Sequence, residues 1–187
     1  MKKYLILANG KPPSKAVINF LIKSGYSNII CADGGANKAI KLNLVPSVII
    51  GDLDSIHPET LKFFSEKSEI IKINRQNDTD VEKCLKYLIK KNISEVLLLG
   101  VTGDRLDHTF CNLGIVLKFF NKIKIRIIAE NSLLVPVSGK LQIPTKPGEI
   151  VSLYGFDSKT QITTKGLKYP LKSERLPFGV RESTSNV

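Results

Sequence analysis

About the first 120 residues alternate short apolar runs with amphipathic segments, and this alternation restricts the fold of the chain more than any other feature. The apolar runs predict β-strands, and the segments between them carry apolar residues with helical spacing. The predicted strands occupy residues 4–8, 29–32, 48–50, 70–73 and 96–99. Because strands and helices take turns, we expect an α/β fold with a mainly parallel sheet and helices on both faces.

The segment from Thr79 to Ile89 gives the strongest helix prediction. Its apolar residues recur every three or four positions, as on one face of a helix. Thr79 and Glu82 form a capping box at its start. Further helices are predicted at residues 14–23, 36–42 and 58–64, and by the spacing of Leu106, Phe110, Leu113 and Leu117.

The pattern changes after about residue 121, where short β-like runs are separated by Gly, Pro, Asn, Asp and Lys without a helical segment. The runs lie at residues 123–129, 133–137, 141–143, 150–154, 161–164 and 167–171. They predict a small antiparallel β-sandwich. We therefore predict two domains, an α/β catalytic domain at residues 1–121 and a β-sandwich domain at residues 122–187.

Three widely spaced cysteines, Cys31, Cys84 and Cys111, include no C-x-x-C pair. This usage is typical of a reducing compartment, so we expect a cytoplasmic protein. The apolar run at residues 4–8 ends without a small-residue cleavage site, which favours a first strand over a signal peptide. Because the apolar runs are too short to cross a bilayer, we expect no membrane partner.

The formal net charge of +11 raises the possibility of nucleic-acid binding, because clustered Lys and Arg displace counterions from phosphate backbones. Most lysines are instead spaced along predicted helix faces, and a basic field would equally attract a nucleotide polyphosphate. A non-catalytic nucleic-acid-binding module stays open as an alternative, but the few aromatic residues disfavour it. We expect no nucleic-acid partner.

Seven of the eight aspartates follow the carboxyl ends of consecutive predicted strands. They are Asp33, Asp52, Asp54, Asp78, Asp80, Asp104 and Asp107. Each alone could cap a helix, but the carboxyl ends of parallel strands meet at one edge of a sheet, where ligands bind. Several carboxylates at one place repel one another unless a cation intervenes. Without a Cys/His cluster, Mg²⁺ is the expected cation, and it usually binds substrate phosphates.

Four segments resemble, in order and spacing, the signature segments of the thiamine pyrophosphokinase (thiamine diphosphokinase) family. These segments occupy residues 32–37, 51–55, 77–83 and 100–108. The change of pattern near residue 121 is similar to the family's passage from an α/β catalytic domain to a β-sandwich. The Ser-Thr-Ser-Asn run at residues 183–186 resembles its thiamine-contacting segment.

The resemblance implies transfer of the pyrophosphoryl group of ATP to the hydroxyethyl oxygen of thiamine, giving thiamine diphosphate and AMP. It implies that Mg²⁺ is held by Asp52, Asp54 and Asp80, with Asp107 near the reacting groups. It implies a nucleotide side lined by Asp33, Gly34, Gly35, Asn37, Arg105 and His108. It also implies that Ser185 and Asn186 face thiamine, and that the sites lie between two subunits of a homodimer.

The residue types agree with this chemistry. Phosphoryl-type transfer depends on positioning and charge neutralisation, and no Ser-His-Asp or Cys-His nucleophile stands out. An aspartate can accept the alcohol proton. His108 is the alternative base, although a packing or hydrogen-bonding role is favoured because it opens a predicted helix. Another nucleotide-dependent phosphotransferase with a different acceptor alcohol stays open.

Overall fold

The computed structural model describes residues 2–75, 77–103 and 105–187. The chain divides into two compact units, the first ending at Val137 and the second spanning Ser138–Val187. Within the described ranges, every helix is too short or too polar to cross a lipid bilayer.

A seven-stranded sheet forms the centre of the first unit, with the strand order β4-β3-β2-β1-β5-β6-β7. The strands are β1 (Tyr4–Leu7), β2 (Asn28–Ala32), β3 (Val48–Gly51), β4 (Glu69–Lys72), β5 (Glu95–Leu99), β6 (Lys124–Ile128) and β7 (Leu133–Leu134). Strands β1 to β6 pair in parallel, and β7 adds an antiparallel edge. The predicted α/β class is confirmed.

Among the described residues, five helices cover the two faces of this sheet. They are α1 (Lys15–Lys23), α2 (Gly35–Leu42), α3 (Pro58–Phe64), α4 (Asp80–Lys90) and α5 (Leu106–Phe119). Helices α4 and α5 pack on one face, and α1, α2 and α3 pack on the other. The predicted cap of α4 is present, because the Thr79 side chain accepts a hydrogen bond from the backbone N–H of Glu82 at 3.3 Å.

Helix α5 has a different buried face from the one that its apolar spacing suggests. Leu106, Phe110 and Leu117 are exposed, whereas Ile115 and Val116 face the core. The spacing of the exposed residues therefore located the helix correctly but did not mark its packed face. Both faces of α5 carry apolar residues, so periodicity alone cannot choose between them.

The predicted domain boundary at residue 121 falls before β6, whereas the first compact unit extends to Val137. Strand β6 pairs in parallel with β5 over five residues, and it buries Ile125 and Ile127 in the core of the first unit. The sequence pattern favours the C-terminal domain for this segment because no helix follows it. A strand at the end of a parallel sheet and a strand of a sandwich have similar local patterns.

The second unit contains two small antiparallel sheets. One pairs β8 (Val151–Leu153) with β11 (Ser183–Asn186), and the other pairs β9 (Gln161–Ile162) with β10 (Glu174–Arg175). The strands predicted at residues 141–143 and 167–171 are wrong, because neither segment forms a ladder. Pro144 follows the first run and Pro170 lies within the second, and proline cannot donate to a ladder. Among the described residues of this unit, few side chains are buried.

Candidate active site

Three carboxylates meet at the carboxyl edge of the sheet. Asp33 follows β2, Asp52 follows β3, and Asp80 opens α4 after β4. One carboxylate oxygen from each lies within 4.8 Å of the others. This is the grouping that the strand-end aspartates predicted, but it includes Asp33, for which the family resemblance implied a place on the nucleotide side.

The backbone at Asp33 directs its carboxylate into the cluster. Its φ is +40°, a left-handed conformation that Asp adopts more readily than most residues. The backbone N–H of Asp33 donates to the carbonyl oxygen of Ile50 at 2.9 Å. Its Oδ2 accepts from the backbone N–H of Ser55 at 3.1 Å. The turn after β2 and the loop after β3 are therefore tied together at the site.

Two carboxylate oxygens in the cluster lack a compensating donor. Oδ1 of Asp33 and Oδ1 of Asp52 are both buried, and neither has a hydrogen-bond partner among the described residues. Buried polar atoms without partners are uncommon in folded proteins and often mark a site for an ion or ligand. Carboxylate oxygens at this spacing are the donor set that a hard divalent cation such as Mg²⁺ prefers, so the residues present fit such an ion.

Burial raises the pKa of Asp33 to about 6, and the charge of Asp80 adds to this rise. Burial also raises the pKa of Asp80, and Lys83 opposes this effect. The cause is the same in both cases, since desolvation and like charges disfavour the ionised form of a carboxyl. The positive charges and hydrogen-bond donors around the cluster therefore do not fully compensate its negative charge.

Lys83 is a site residue that the sequence analysis missed. Its side chain is only 3% exposed, yet its Nζ lies 2.8 Å from Oδ1 of Asp80 and 3.9 Å from Oδ2 of Asp52. Burial acts to lower the pKa of Lys83, but the two carboxylates outweigh it and the pKa is raised. Lys83 stands three residues after Asp80 on the predicted helix, and this i, i+3 spacing was the available signal.

Asp54 and Asp107 lie outside the group of three carboxylates. Asp54 is exposed, and the Ser55 hydroxyl donates to its Oδ1 at 2.9 Å, which lowers its pKa. Asp107 is exposed and receives two hydrogen bonds from the Arg105 guanidinium, at 3.1 and 2.6 Å. These bonds lower the pKa of Asp107 to about 2. The neighbouring Asp104 lies outside the described residues.

Gly34, Gly35 and Asn37, predicted on the nucleotide side, hold the loops at this edge together. A Cβ atom on Gly35 would overlap the carbonyl oxygen of Leu7, so glycine allows α2 to approach β1. The Asn37 side chain donates to the carbonyl oxygen of Ser55 at 2.9 Å and accepts from the backbone N–H of His57 at 3.0 Å. His108, in the first turn of α5, is exposed.

Ser185 and Asn186 belong to β11 in the second unit. Asn186 is 2% exposed, and its side chain accepts from the backbone N–H of Tyr169 at 3.0 Å and donates to the carbonyl oxygen of Tyr169 at 2.7 Å. Ser185 is exposed, and its backbone N–H donates to the Ser152 hydroxyl at 3.2 Å. The amide of Asn186 therefore fixes the terminal strand.

Comparison with known proteins identifies related sequences across nearly the whole chain. The family profile described as "Thiamin pyrophosphokinase, catalytic domain" matches residues 21–129, and the profile described as "Thiamin pyrophosphokinase, vitamin B1 binding domain" matches residues 139–187. Thiamine pyrophosphokinase 2 of Oryza sativa subsp. japonica is 31% identical over 188 residues, which cover 84% of this chain and 70% of the relative. Thiamine pyrophosphokinase of Bacillus subtilis is 24% identical over 163 residues, covering 84% of this chain and 76% of the relative.

Solved structures share the fold. The crystal structure of thiamine pyrophosphokinase from Bacillus subtilis superimposes with a TM-score of 0.84 at 22% identity, covering 99% of this chain and 89% of that chain. The structure of thiamin pyrophosphokinase from Candida albicans gives a TM-score of 0.80 at 22% identity, covering 98% of this chain and 81% of that chain. At this identity the likeness establishes the architecture.

Proposed function

The chain belongs to the thiamine pyrophosphokinase family, and we propose that the carboxylates of Asp33, Asp52 and Asp80 hold the Mg²⁺ that binds the ATP polyphosphate. The chain is a thiamine diphosphokinase that uses ATP as its co-substrate. The observation that supports this metal site most directly is the pair of buried carboxylate oxygens, on Asp33 and Asp52, that lack a partner within the described ranges.

The reaction requires one bond to form and one to break. The hydroxyethyl oxygen of thiamine bonds to the β-phosphorus of ATP, and the bond from that phosphorus to the oxygen bridging toward the α-phosphorus breaks. The electron pair of the broken bond leaves with AMP, and the alcohol proton passes to a carboxylate or to water. A bound Mg²⁺ would neutralise charge on the phosphate oxygens, which is the main requirement of such transfers.

Each aspartate has a proposed role in this scheme. Asp52 and Asp80 hold the metal from β3 and α4, and Asp33 completes the set. We retain Asp54 as a further ligand because it precedes Ser55, whose backbone N–H donates to Oδ2 of Asp33 at 3.1 Å. Asp107 has a pKa of about 2 and is a weak proton acceptor near neutral pH. We therefore assign Asp107, near the reacting groups, to positioning Arg105.

The nucleotide side is proposed to include Arg105 and His108 as direct contacts. Gly34, Gly35 and Asn37 would act through the loops that they hold. The thiamine side is proposed at β11, where Ser185 would contact the substrate and Asn186 would fix the strand that carries it. This division follows from the exposure of Ser185 and from the two hydrogen bonds that Asn186 makes to Tyr169.

We propose a homodimer with its sites between two subunits, as the family resemblance implies. Exposed aromatic side chains in the second unit support this proposal. The rings of Phe156 and Phe178 stack with centroids 5.7 Å apart, and Tyr154 lies 6.2 Å from Phe178. Contiguous exposed apolar surface of this kind commonly marks an interface. The free cysteines Cys31, Cys84 and Cys111 support a cytoplasmic location.

The direct test is product analysis after incubation with ATP, Mg²⁺ and thiamine. We expect thiamine diphosphate and AMP in equal amounts. Formation of ADP, or the absence of thiamine diphosphate, would contradict the assignment. The double change Asp52→Asn plus Asp54→Asn should reduce turnover by at least about a hundredfold while the circular dichroism spectrum is retained. Glu59→Gln, an exposed acid on α3, is the matched control and should keep full activity.

A further inference from the structure

The strand order reverses between β1 and β5. Strands β2, β3 and β4 extend from β1 on one side, and β5 and β6 lie on the other. In open parallel sheets, ligands bind outside the carboxyl ends of the strands at such a reversal. The acidic cluster lies at β2, β3 and α4, so it does not occupy this position.

The loops that follow β1 and β5 are joined at the reversal by their backbones. The N–H of Gly10 donates to the carbonyl oxygen of Gly100 at 2.7 Å, and the N–H of Lys11 donates to that of Thr102 at 2.8 Å. A Cβ atom on Gly10 would lie 2.5 Å from the carbonyl oxygen of Thr102, so only glycine allows this approach. The two loops therefore form a fixed base at this part of the edge.

A cleft of about 590 Å³ opens above these loops. It is lined by Gly10, Lys11, Pro12, Lys38, Gly103 and Glu130. Its volume is in the range of cavities that bind small molecules. The lining carries two ammonium groups and one carboxylate, so the cleft favours an anionic ligand.

Lys11 forms an ion pair with the Glu130 carboxylate in this cleft. Its Nζ lies 2.7 Å from Oε2 of Glu130, and both side chains are more than half exposed. Ion pairs between exposed side chains contribute little stability, so a ligand phosphate can replace the carboxylate at low cost. Lys38 is half-buried and projects from α2, the helix that begins just after Asp33.

The cleft and the acidic cluster are neighbours on the same edge of the sheet. A Cβ atom on Gly34, the residue after Asp33, would lie 2.7 Å from the side-chain nitrogen of Asn9, the residue before Gly10. Strands β1 and β2 are also adjacent and paired. A single extended polyphosphate ligand can therefore contact both places.

We propose that this cleft binds the nucleoside monophosphate half of ATP, with Lys11 and Lys38 contacting the α-phosphate, which replaces Glu130 as the partner of Lys11. The proposal rests on the proposed function, because it takes the β- and γ-phosphates to be held at the acidic cluster. When the bond between the β-phosphorus and the bridging oxygen breaks, its electron pair adds negative charge to the α-phosphate. Lys11 and Lys38 then stabilise the leaving AMP.

The test is calorimetric titration of the full chain with AMP, adenosine and inorganic phosphate, without Mg²⁺ or thiamine. We expect AMP to bind more tightly than adenosine or phosphate alone. Lys11→Gln and Lys38→Gln should each weaken AMP binding by about threefold to tenfold and leave adenosine binding unchanged. Glu130→Gln should tighten AMP binding, because Lys11 is then available without competition, and Lys11→Arg should retain it.

Two control variants separate local contacts from the general effect of charge. Lys90→Gln and Glu66→Gln change exposed side chains near the opposite edge of the sheet, at the end of α4 and beyond the end of α3. Both should bind AMP as the unmodified protein does. The proposal is overturned if the two cleft lysine variants keep full AMP affinity with an unchanged circular dichroism spectrum, or if adenosine binds as tightly as AMP. Unchanged AMP affinity in Glu130→Gln would overturn the claim that the α-phosphate replaces Glu130 as the partner of Lys11.

The same variants distinguish failure of this proposal from failure of the proposed function. Thiamine diphosphate formation by the unmodified protein, with lysine variants that bind AMP normally, would leave the enzyme assignment standing and remove the cleft assignment. Lysine-dependent AMP binding without any thiamine diphosphate formation would leave the cleft assignment standing and remove the enzyme assignment.

Discussion

The ammonium nitrogen of Lys83 lies 2.8 Å from Oδ1 of Asp80 and 3.9 Å from Oδ2 of Asp52, in a side chain that is almost completely buried. This places a fixed positive charge beside carboxylates that also fit a divalent cation. Lys83 compensates part of their charge when no metal is bound, and it leaves Oδ1 of Asp52 without a partner among the described residues. The ammonium group of Lys83 therefore balances only part of the charge of these carboxylates.

Replacing Lys83 by Met should make the stability of the protein depend more strongly on Mg²⁺. Without the ammonium group, Asp52 and Asp80 repel each other, and we expect a loss of about 1–3 kcal/mol in the free energy of unfolding in metal-free buffer. Added Mg²⁺ should recover more stability in Lys83→Met than in the unmodified protein, because the variant site is more negative. Urea unfolding with and without Mg²⁺ measures both effects.

The control for this change is Lys86→Met, which removes a partly exposed ammonium group paired with Asp78 and Glu82 on the same helix. It should change stability equally with and without Mg²⁺. An equal response to Mg²⁺ in Lys83→Met and Lys86→Met would show that Lys83 does not compensate the charge of the metal site.

The raised pKa of Asp33 predicts a dependence of stability on pH. A carboxyl whose pKa rises to about 6 on folding, from a usual value of 3.8, binds its proton more tightly in the folded state. Its ionisation therefore destabilises the folded state most above about pH 6, and this destabilisation is relieved progressively as the pH falls through 6 toward 3.8, so stability should already rise between pH 7 and pH 5. In metal-free buffer, Asp33→Asn should reduce this gain in stability, and Asn tolerates the positive φ.

Asp107→Asn is the comparison for the pH experiment. The pKa of Asp107 is lowered to about 2, so its stabilising contribution is complete above the usual carboxyl range and is lost only in strong acid. The slope of stability against pH between 7 and 5 should be the same in Asp107→Asn as in the unmodified protein. The assignment for Asp33 fails if Asp33→Asn leaves that slope unchanged.

The packing of α2 against β1 predicts opposite effects for two helical glycines. Gly35→Ala introduces a Cβ atom that overlaps the carbonyl oxygen of Leu7 and should cost about 1–3 kcal/mol of unfolding free energy. A Cβ atom on Gly114 of α5 would have no described atom within 4 Å outside its own stretch of helix, so Gly114→Ala should stabilise by up to about 1 kcal/mol. Urea unfolding of the pair measures the difference, and similar stability in both variants would contradict the close approach.

The two residues of β11 should separate structural support from substrate contact. Asn186→Ala leaves the backbone groups of Tyr169 without their side-chain partner and should lower stability by about 1–2 kcal/mol. Ser185→Ala should change stability by less than about 0.5 kcal/mol and raise the KM for thiamine. Thermal unfolding and steady-state kinetics report the two effects. A higher KM in Asn186→Ala with unchanged stability would show that Asn186 contacts thiamine itself.

The fold of the first unit was predictable because its elements have strong local signals. Alternating apolar runs located the strands and Thr79 located the start of α4. The edge that carries the site followed from the rule that parallel strands end together, which brought Asp52 and Asp80 to one place. The packed face of α5 was not predictable, because Leu106 and Phe110 are as apolar as the residues that are buried.

The membership of the site depended on tertiary geometry. Asp33 enters the cluster because its backbone adopts a positive φ and bonds to Ile50. The Asp-Gly-Gly run predicts a turn there, but not the direction of the Asp33 carboxylate. From the sequence alone, Lys83 cannot be distinguished from a lysine of an exposed i, i+3 ion pair, because its burial depends on the tertiary fold. In the second unit, residues 141–143 have a strand-like composition but form no ladder, because few side chains there are buried and local preference has little packing to reinforce it.

The central claim is that Asp33, Asp52 and Asp80 form the metal site for the ATP polyphosphate. Its most direct test is a crystal structure with Mn²⁺ in place of Mg²⁺ and an ATP analogue that cannot be cleaved between its α- and β-phosphates, with the metal located by anomalous scattering. We expect an anomalous peak about 2.0–2.3 Å from oxygens of Asp33, Asp52 and Asp80 and of the analogue's phosphates. A bound analogue whose metal lies away from all three aspartates would contradict it.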